Sequence, residues 1–400
     1  MWVRIALSCV AASLFAGALL VTPSQAQDGN ADCRNLPGER SYEGWTDHEQ
    51  LGEQLTQIER TSQGRVEVDV IGHSQRGREI YAARVGTGDR VLLGTSEIHG
   101  NEKTGTEALL AMLKTLGSSG SPQAEAIREG ITLVAVPKFN PDGAELNRRQ
   151  NDFQWSEVQD AFPAFEGFSS PYYYSGGAGG FDVNRDFNAD LTYEPEPGGI
   201  PTNTSEPGLY LTNESRALRD LYIDLRDEFG IVDGYVDLHH MGPCNQNPDG
   251  QYVTLALDFP PLGSEADGNP DYADWPLLDQ DKSRRYALAA ALGAMESAGG
   301  GNAENSPFFG GVTRYTHPQI SDGYSFDRNF AGQARSAFGL NGTGSVLFEV
   351  RGQQHAYGQK QKGQLTQIVL EGLYGIAERM ADDTIADLDG DDFYDLPKYW

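Results

Sequence analysis

The chain has 400 residues, 38% of them hydrophobic and 10% aromatic, which is enough to bury a substantial core and too much for a disordered chain. Fifty-eight acidic residues against 30 Lys and Arg give a formal charge of -28. Such a surface repels phosphate backbones and anionic lipid, so nucleic-acid binding is excluded as a function class.

At the N-terminus, Arg4 precedes an apolar run over residues 5–21 that ends in Pro23, Ser24 and Ala26. A short positive region, an apolar core and a small-residue cleavage site read as a signal peptide over residues 1–26. The protein is therefore expected to be secreted or periplasmic, with no stable membrane insertion after cleavage. A retained anchor is the competing reading, since the run is about as long as the shortest spanning helices, but Pro23, Ser24 and Ala26 suit cleavage better. Residues 27–45 read as an irregular arm. Cys33 and Cys244 could form a disulfide in an oxidising compartment, but two cysteines carry no spacing pattern.

The spacing of Leu51, Leu55 and Ile58 predicts a helix over 47–60. A hairpin follows, with strands at 66–71 and 80–85 around a Gly- and Ser-rich turn. Buried-type strands are predicted at 90–94, 131–136, 231–238 and 345–350, and helices at 104–116, 213–229, 282–298 and 363–380. Segments 152–180, 192–209 and 243–280 read as long surface loops. Strands alternating with helices imply an α/β fold, a single domain over 46–385 whose mixed, mostly parallel central sheet is flanked by helices. Residues 386–400 read as a solvated acidic tail. Its Asp spacing could suit calcium, but the full loop pattern is missing.

Several polar clusters sit just past the predicted strand ends, where α/β sheets bind ligands. His99-x-x-Glu102 lies at a strand-to-helix turn and can turn both side chains to one cation. Zinc takes His nitrogen and carboxylate oxygen, and catalytic sites use three protein ligands. A third ligand is available from His239-His240, at the end of a strand; without context these are ordinary exposed histidines. Asn140-Pro141-Asp142-Gly143 is a turn signal followed by Arg148 and Arg149. Asp182-Val183-Asn184-Arg185 adds a further cation, and arginine forks suit an anionic substrate end. Glu349 lies within an apolar strand, where a carboxylate must be paired, poised or ligated. It is either a general base or the partner of Arg351, which shares its strand face.

Taken together these segments resemble the carboxypeptidase A/B type of zinc metallocarboxypeptidase, in a bacterial secreted form. The matching residues are Gly72-x-Ser74-x-x-Gly77-Arg78, His99-x-x-Glu102, Asn140-Pro141-Asp142-Gly143, Asp182-x-Asn184-Arg185, Leu238-His239 and Phe348-Glu349-Val350-Arg351. Each is weak alone; their order over residues 72–351 carries the likeness. The resemblance implies one Zn2+ per chain held by His99, Glu102 and His239, with Asp182 orienting His99. It implies that Asn184, Arg185 and Tyr324 bind substrate, although Asp327 to Phe330 lies nearer the expected place of that tyrosine. Arg149 would polarise the scissile carbonyl, with Arg148 a close competitor, and Glu349 would be the general base. The implied activity is hydrolysis of the C-terminal peptide bond of peptides with a free carboxylate, by a monomeric enzyme. Alternatives are a peptidoglycan stem-peptide amidase, an N-acyl amino acid amidohydrolase of the aspartoacylase type, which shares His-Gly-Asn-Glu, and a non-catalytic binding scaffold.

Overall fold

The computed structural model describes residues 44–247, 250, 252–260, 272–299, 311–315, 330–352 and 358–398. The expected leader at 1–26, most of the arm, Cys33 and Tyr324 lie outside these residues. Among the described residues, ten strands are interleaved with helices. The strands are β1 Val66–His73, β2 Glu79–Gly86, β3 Arg90–Ser96, β4 Ile131–Val136, β5 Tyr174–Ser175, β6 Gly180–Phe181, β7 Gly234–Met241, β8 Leu255–Asp258, β9 Val312–Arg314 and β10 Gly344–Arg351. The helices are α1 His48–Thr61, α2 Thr104–Ser118, α3 Pro122–Gly130, α4 Pro141–Glu145, α5 Trp155–Ala161, α6 Asn213–Phe229, α7 Gln280–Gly299, α8 Ala334–Leu340 and α9 Gly358–Ala381.

Eight strands form one mixed sheet in the order β1-β2-β4-β3-β7-β10-β8-β9. Its centre is parallel across β4, β3, β7 and β10, while β1, β2 and β8 join by antiparallel pairing. The central strands are buried almost throughout because helices cover both faces. One face packs Leu55, Leu113, Leu288 and Leu373 from α1, α2, α7 and α9. The other packs Leu218, Tyr222 and Phe338 from α6 and α8, with Tyr222 and Phe338 stacked at 4.0 Å. The chain leaves β3 to build β4 on one side and later returns to build β7 on the other. Strand order therefore reverses at β3, and the crevice beyond its carboxyl end is the topological switch point.

Six segments depart from the sequence reading. Helix α3, capped by Ser121 with Pro122 in its first turn, was not anticipated, and neither was α8. Strand β8 lies inside the expected loop 243–280, and β9 follows it; both are short and owe their conformation to sheet neighbours. The segment 152–180 contains α5 and a small aromatic core of Phe153, Phe165, Tyr173 and Phe181. Its lack of periodicity concealed that burial. Residues 386–398 are not a free tail. Phe393 and Leu396 are buried in the main core, and Arg314 N donates to Pro397 O.

Candidate active site at the switch point

The turns after β3 and β4 are joined by backbone bonds. Phe139 N donates to Ser96 O and Asn140 N to Glu97 O. Glu97 is fully buried at φ 54° and accepts from Lys138 Nζ at 2.9 and 3.0 Å, a charge pairing that offsets its desolvation. Asn140 closes the first turn of α4 by accepting from Gly143 N, and its Nδ2 donates to Ile98 O. Gly100 faces Gly143 so closely that a Cβ would lie 2.0 Å from the Gly143 carbonyl carbon. Buried Asp142 accepts from Arg76 N at 2.9 Å and pairs with Arg78 at 2.5 Å. The hairpin turn, the His-x-x-Glu segment and the Asn-Pro-Asp-Gly turn thus form one block behind the site.

Glu102, His99 and His239 converge at the end of that block. His99 Nδ1 lies 3.0 Å from Glu102 Oε1 and 3.0 Å from His239 Nδ1, which lies 2.9 Å from Glu102 Oε2. The Nε2 atoms face away: that of His99 is 3.2 Å from Asp182 Oδ1, and that of His239 is 2.9 Å from Asp237 Oδ2. Carboxylates at Nε2 favour a proton there, which turns each Nδ1 lone pair inward beside the Glu102 carboxylate. Two imidazole nitrogens and a carboxylate this close can share one cation. A His/Glu/His set with donor atoms within 4.8 Å fits zinc.

The protonation behaviour agrees. Burial alone would push Glu102 up and His239 down. Yet the two imidazoles hold Glu102 well below its ordinary value, and Asp237 and Glu102 raise His239 to about 10. Asp182, buried, is likewise held well below the carboxylate range by Arg185, Arg149 and His99. His240 turns elsewhere: its Nε2 accepts from Thr104 N at 3.0 Å, and burial pushes it down to about 4. Asp237 is the residue that sequence reasoning passed over. Its signal was available, since it stands two positions before His239 and shares its face of the strand.

A cleft of ≈ 240 Å³ opens over the three ligands and is lined also by Arg149, Asn184, Arg185, Phe330, Arg335, Leu347 and Glu349. Glu349 is half-buried on β10, opposite His239 on β7. Burial lifts it to about 7, with Glu102 adding to the rise and His239 opposing it. Arg351 is engaged elsewhere, donating from Nε to Pro243 O and lying over the Tyr252 ring. Arg149 donates from Nε to Asp182 Oδ2 at 2.9 Å, and its Nη1 lies 3.1 Å from His99 Nδ1. Arg148 turns away to Asp152 and the carbonyls of Gln150, Asn151 and Ala178. Arg185 lies over the Phe330 ring at 4.8 Å. Asn184, expected to contact substrate, is 2% exposed; its Nδ2 donates to Asp237 and its Oδ1 accepts from Ala334 N. Its amide thus lies against the β7 pair Asp237 and His239, and both Asn184 and Arg185 line the cleft.

A doubly covered α/β sheet with a His/Glu/His set and a half-buried Glu at its switch point defines a metallohydrolase. A sequence model of the family described as zinc carboxypeptidase matches residues 52–273, more than half of the chain. The chain belongs to that zinc carboxypeptidase family. Its fold is also that of solved metallocarboxypeptidases. Carboxypeptidase A from Helicoverpa armigera matches with a TM-score of 0.54 at 16% identity, covering 90% of this chain and 78% of that one. Bovine thrombin-activatable fibrinolysis inhibitor, solved with tick carboxypeptidase inhibitor, matches with a TM-score of 0.54 at 15% identity over 86% of this chain and 99% of that one. A metallo-carboxypeptidase from Pseudomonas aeruginosa gives 0.51 at 18% identity, over 83% and 69% respectively.

Proposed function

We propose that this protein is an exported carboxypeptidase that hydrolyses the last peptide bond of peptides bearing a free C-terminal carboxylate. The observation that carries the reading is the shared cleft: Arg149 and Arg185 flank the His99–Glu102–His239 set, with Glu349 on the neighbouring strand. Zinc held by those three residues supplies a Lewis acid that acidifies water and polarises a carbonyl. Arg185 takes the terminal carboxylate through its guanidinium fork. Arg149, held in place by Asp182, donates to the carbonyl oxygen as negative charge builds there. Glu349 removes a proton from the attacking water and delivers it to the departing amine. Its raised pKa suits both transfers near neutral pH.

Export is supported by the leader pattern at residues 1–26 and by Cys244, which is disulfide-bonded with its partner outside the described residues. N-terminal sequencing of the mature protein should begin at Gln27 if cleavage follows Ala26.

The activity is tested on zinc-loaded protein with three substrate sets: linear peptides, peptidoglycan stem peptides and N-acyl amino acids. Release of single C-terminal residues from linear peptides supports the reading. Turnover of stem peptides alone would assign a wall amidase, and of N-acyl amino acids alone an acylase. Peptide binding without any turnover would leave a binding scaffold.

A further inference from the structure

Register across the centre of the sheet gives the cleft a floor. On β7, β10 and β8, His239, Glu349 and Ala256 are paired neighbours. Two residues earlier on β7 and β10, Asp237, Leu347 and Asp258 form a second row on the same face. That row lies roughly 7 Å deeper at strand rise. Arg335, in the first turn of α8, closes the β8 end of this floor. It is 3% exposed, yet it lines the cleft. Nη1 donates to Asp258 Oδ2 at 3.2 Å and to Phe259 O at 3.0 Å, and Nε donates to Gln333 Oε1 at 2.8 Å. The preceding residue, Ala334, is bonded to Asn184, so Arg335 is fixed against the segment that carries Arg185.

The guanidinium count is the second observation. Among the described residues, three arginines line the cleft and Glu349 is its one carboxylate outside the ligand set, on a chain of formal charge -28. The substrate's terminal carboxylate occupies Arg185 and its scissile carbonyl Arg149. A third cation, buried Arg335, lines the same cleft, and it is the one left for the side chain of the departing residue. Asp258 balances the cost of burying it. Among the described residues, however, Arg335 and not Asp258 faces the cleft. An entering anion therefore meets a guanidinium, and an entering ammonium is repelled.

We infer that Arg335 recognises an acidic side chain, so that the enzyme releases C-terminal Glu or Asp in preference to neutral or basic residues. This rests on the carboxypeptidase reading above. The test is kcat/KM of the zinc-loaded protein on blocked peptides that differ only in the last residue: Glu, Asp, Gln, Leu, Phe and Lys. Glu should exceed its isostere Gln by about tenfold or more, since the site pairs a charge. Arg335→Met should cut turnover of the Glu peptide at least about tenfold more than that of the Leu peptide, and Arg335→Lys should restore part of the ratio. Because Arg335→Met strands Asp258, the double variant with Asp258→Asn accompanies it, and zinc content and melting temperature check its fold. Titration of Glu349→Gln with the same peptides should give the same Glu-over-Gln order as affinities without turnover. Preference for Leu, Phe or Lys, or a Glu-to-Gln ratio that neither variant moves, would overturn the inference while leaving the carboxypeptidase intact. Release of no residue from any peptide would overturn both, the fault then lying in the reading of the reaction.

Discussion

Asp237 and His239 stand two residues apart on β7, and Asp237 Oδ2 lies 2.9 Å from His239 Nε2. Strand alternation puts both on one face, so the backbone itself aims the second ring nitrogen into the metal cluster. Removing the carboxylate while keeping the shape isolates that contribution. Asp237→Asn should weaken zinc binding about 10- to 100-fold, and Asp182→Asn should do the same through His99. Competition with a chromogenic chelator measures both, and unchanged affinity would show that the carboxylates do not hold the rings.

Zinc uptake should expel protons. His239, raised to about 10 by Asp237 and Glu102 against the effect of burial, carries a proton at pH 7 in the metal-free protein, and a zinc ligand must be neutral. Calorimetry in buffers of different ionisation enthalpy should report release of about one proton per zinc at pH 7.

The same group sets opposite pH trends for the two forms. Its folded value lies above the ordinary 6.5, so its contribution to the metal-free fold is full below pH 6.5 and disappears as pH rises through about 10. The zinc form gains with the neutral imidazole. The melting-temperature difference between zinc-loaded and metal-free protein should therefore widen from pH 6 to pH 9.

Glu349 must be ionised to accept a proton. In the metal-free protein burial raises it to about 7, and a bound cation lowers it, so kcat/KM should rise with pH and level off at or below about pH 7. Below that limb the rate should fall about tenfold per unit. A profile that instead declines with increasing pH between 5 and 7 would remove Glu349 as the base.

The C-terminal residues hold the fold from outside the catalytic cleft. Phe393 is 2% exposed and lies 5.8 Å from Phe259, next to the β8 residue Asp258 that anchors Arg335. Phe393→Ala should cost about 3–5 kcal/mol in denaturant unfolding. A loss below about 1 kcal/mol would mean that the segment is only loosely docked.

The main α/β frame was legible because its helices carry apolar stripes and its central strands are short apolar runs between turn signals. His99, Glu102 and His239 could be picked out because each follows or ends such a strand. What escaped was held by partners distant in sequence. Strand β8 owes its form to β10, and α8 is a seven-residue helix. The aromatic core of 152–180 has no period to read. Nothing local marks Arg335, whose partner Asp258 lies 77 positions earlier. The choice between the adjacent Arg148 and Arg149 depended on which guanidinium the Asp152 side chain and nearby carbonyls had already taken.

The most direct test of the account compares one peptide with a free and with an amidated C-terminus, using zinc-loaded protein, metal-free protein and Glu349→Gln. The account predicts release of a single C-terminal residue from the free peptide alone. It also predicts loss of that release on metal removal and at least about a hundredfold slower turnover in the variant. Equal cleavage of the amidated peptide, or full activity in Glu349→Gln, would contradict it.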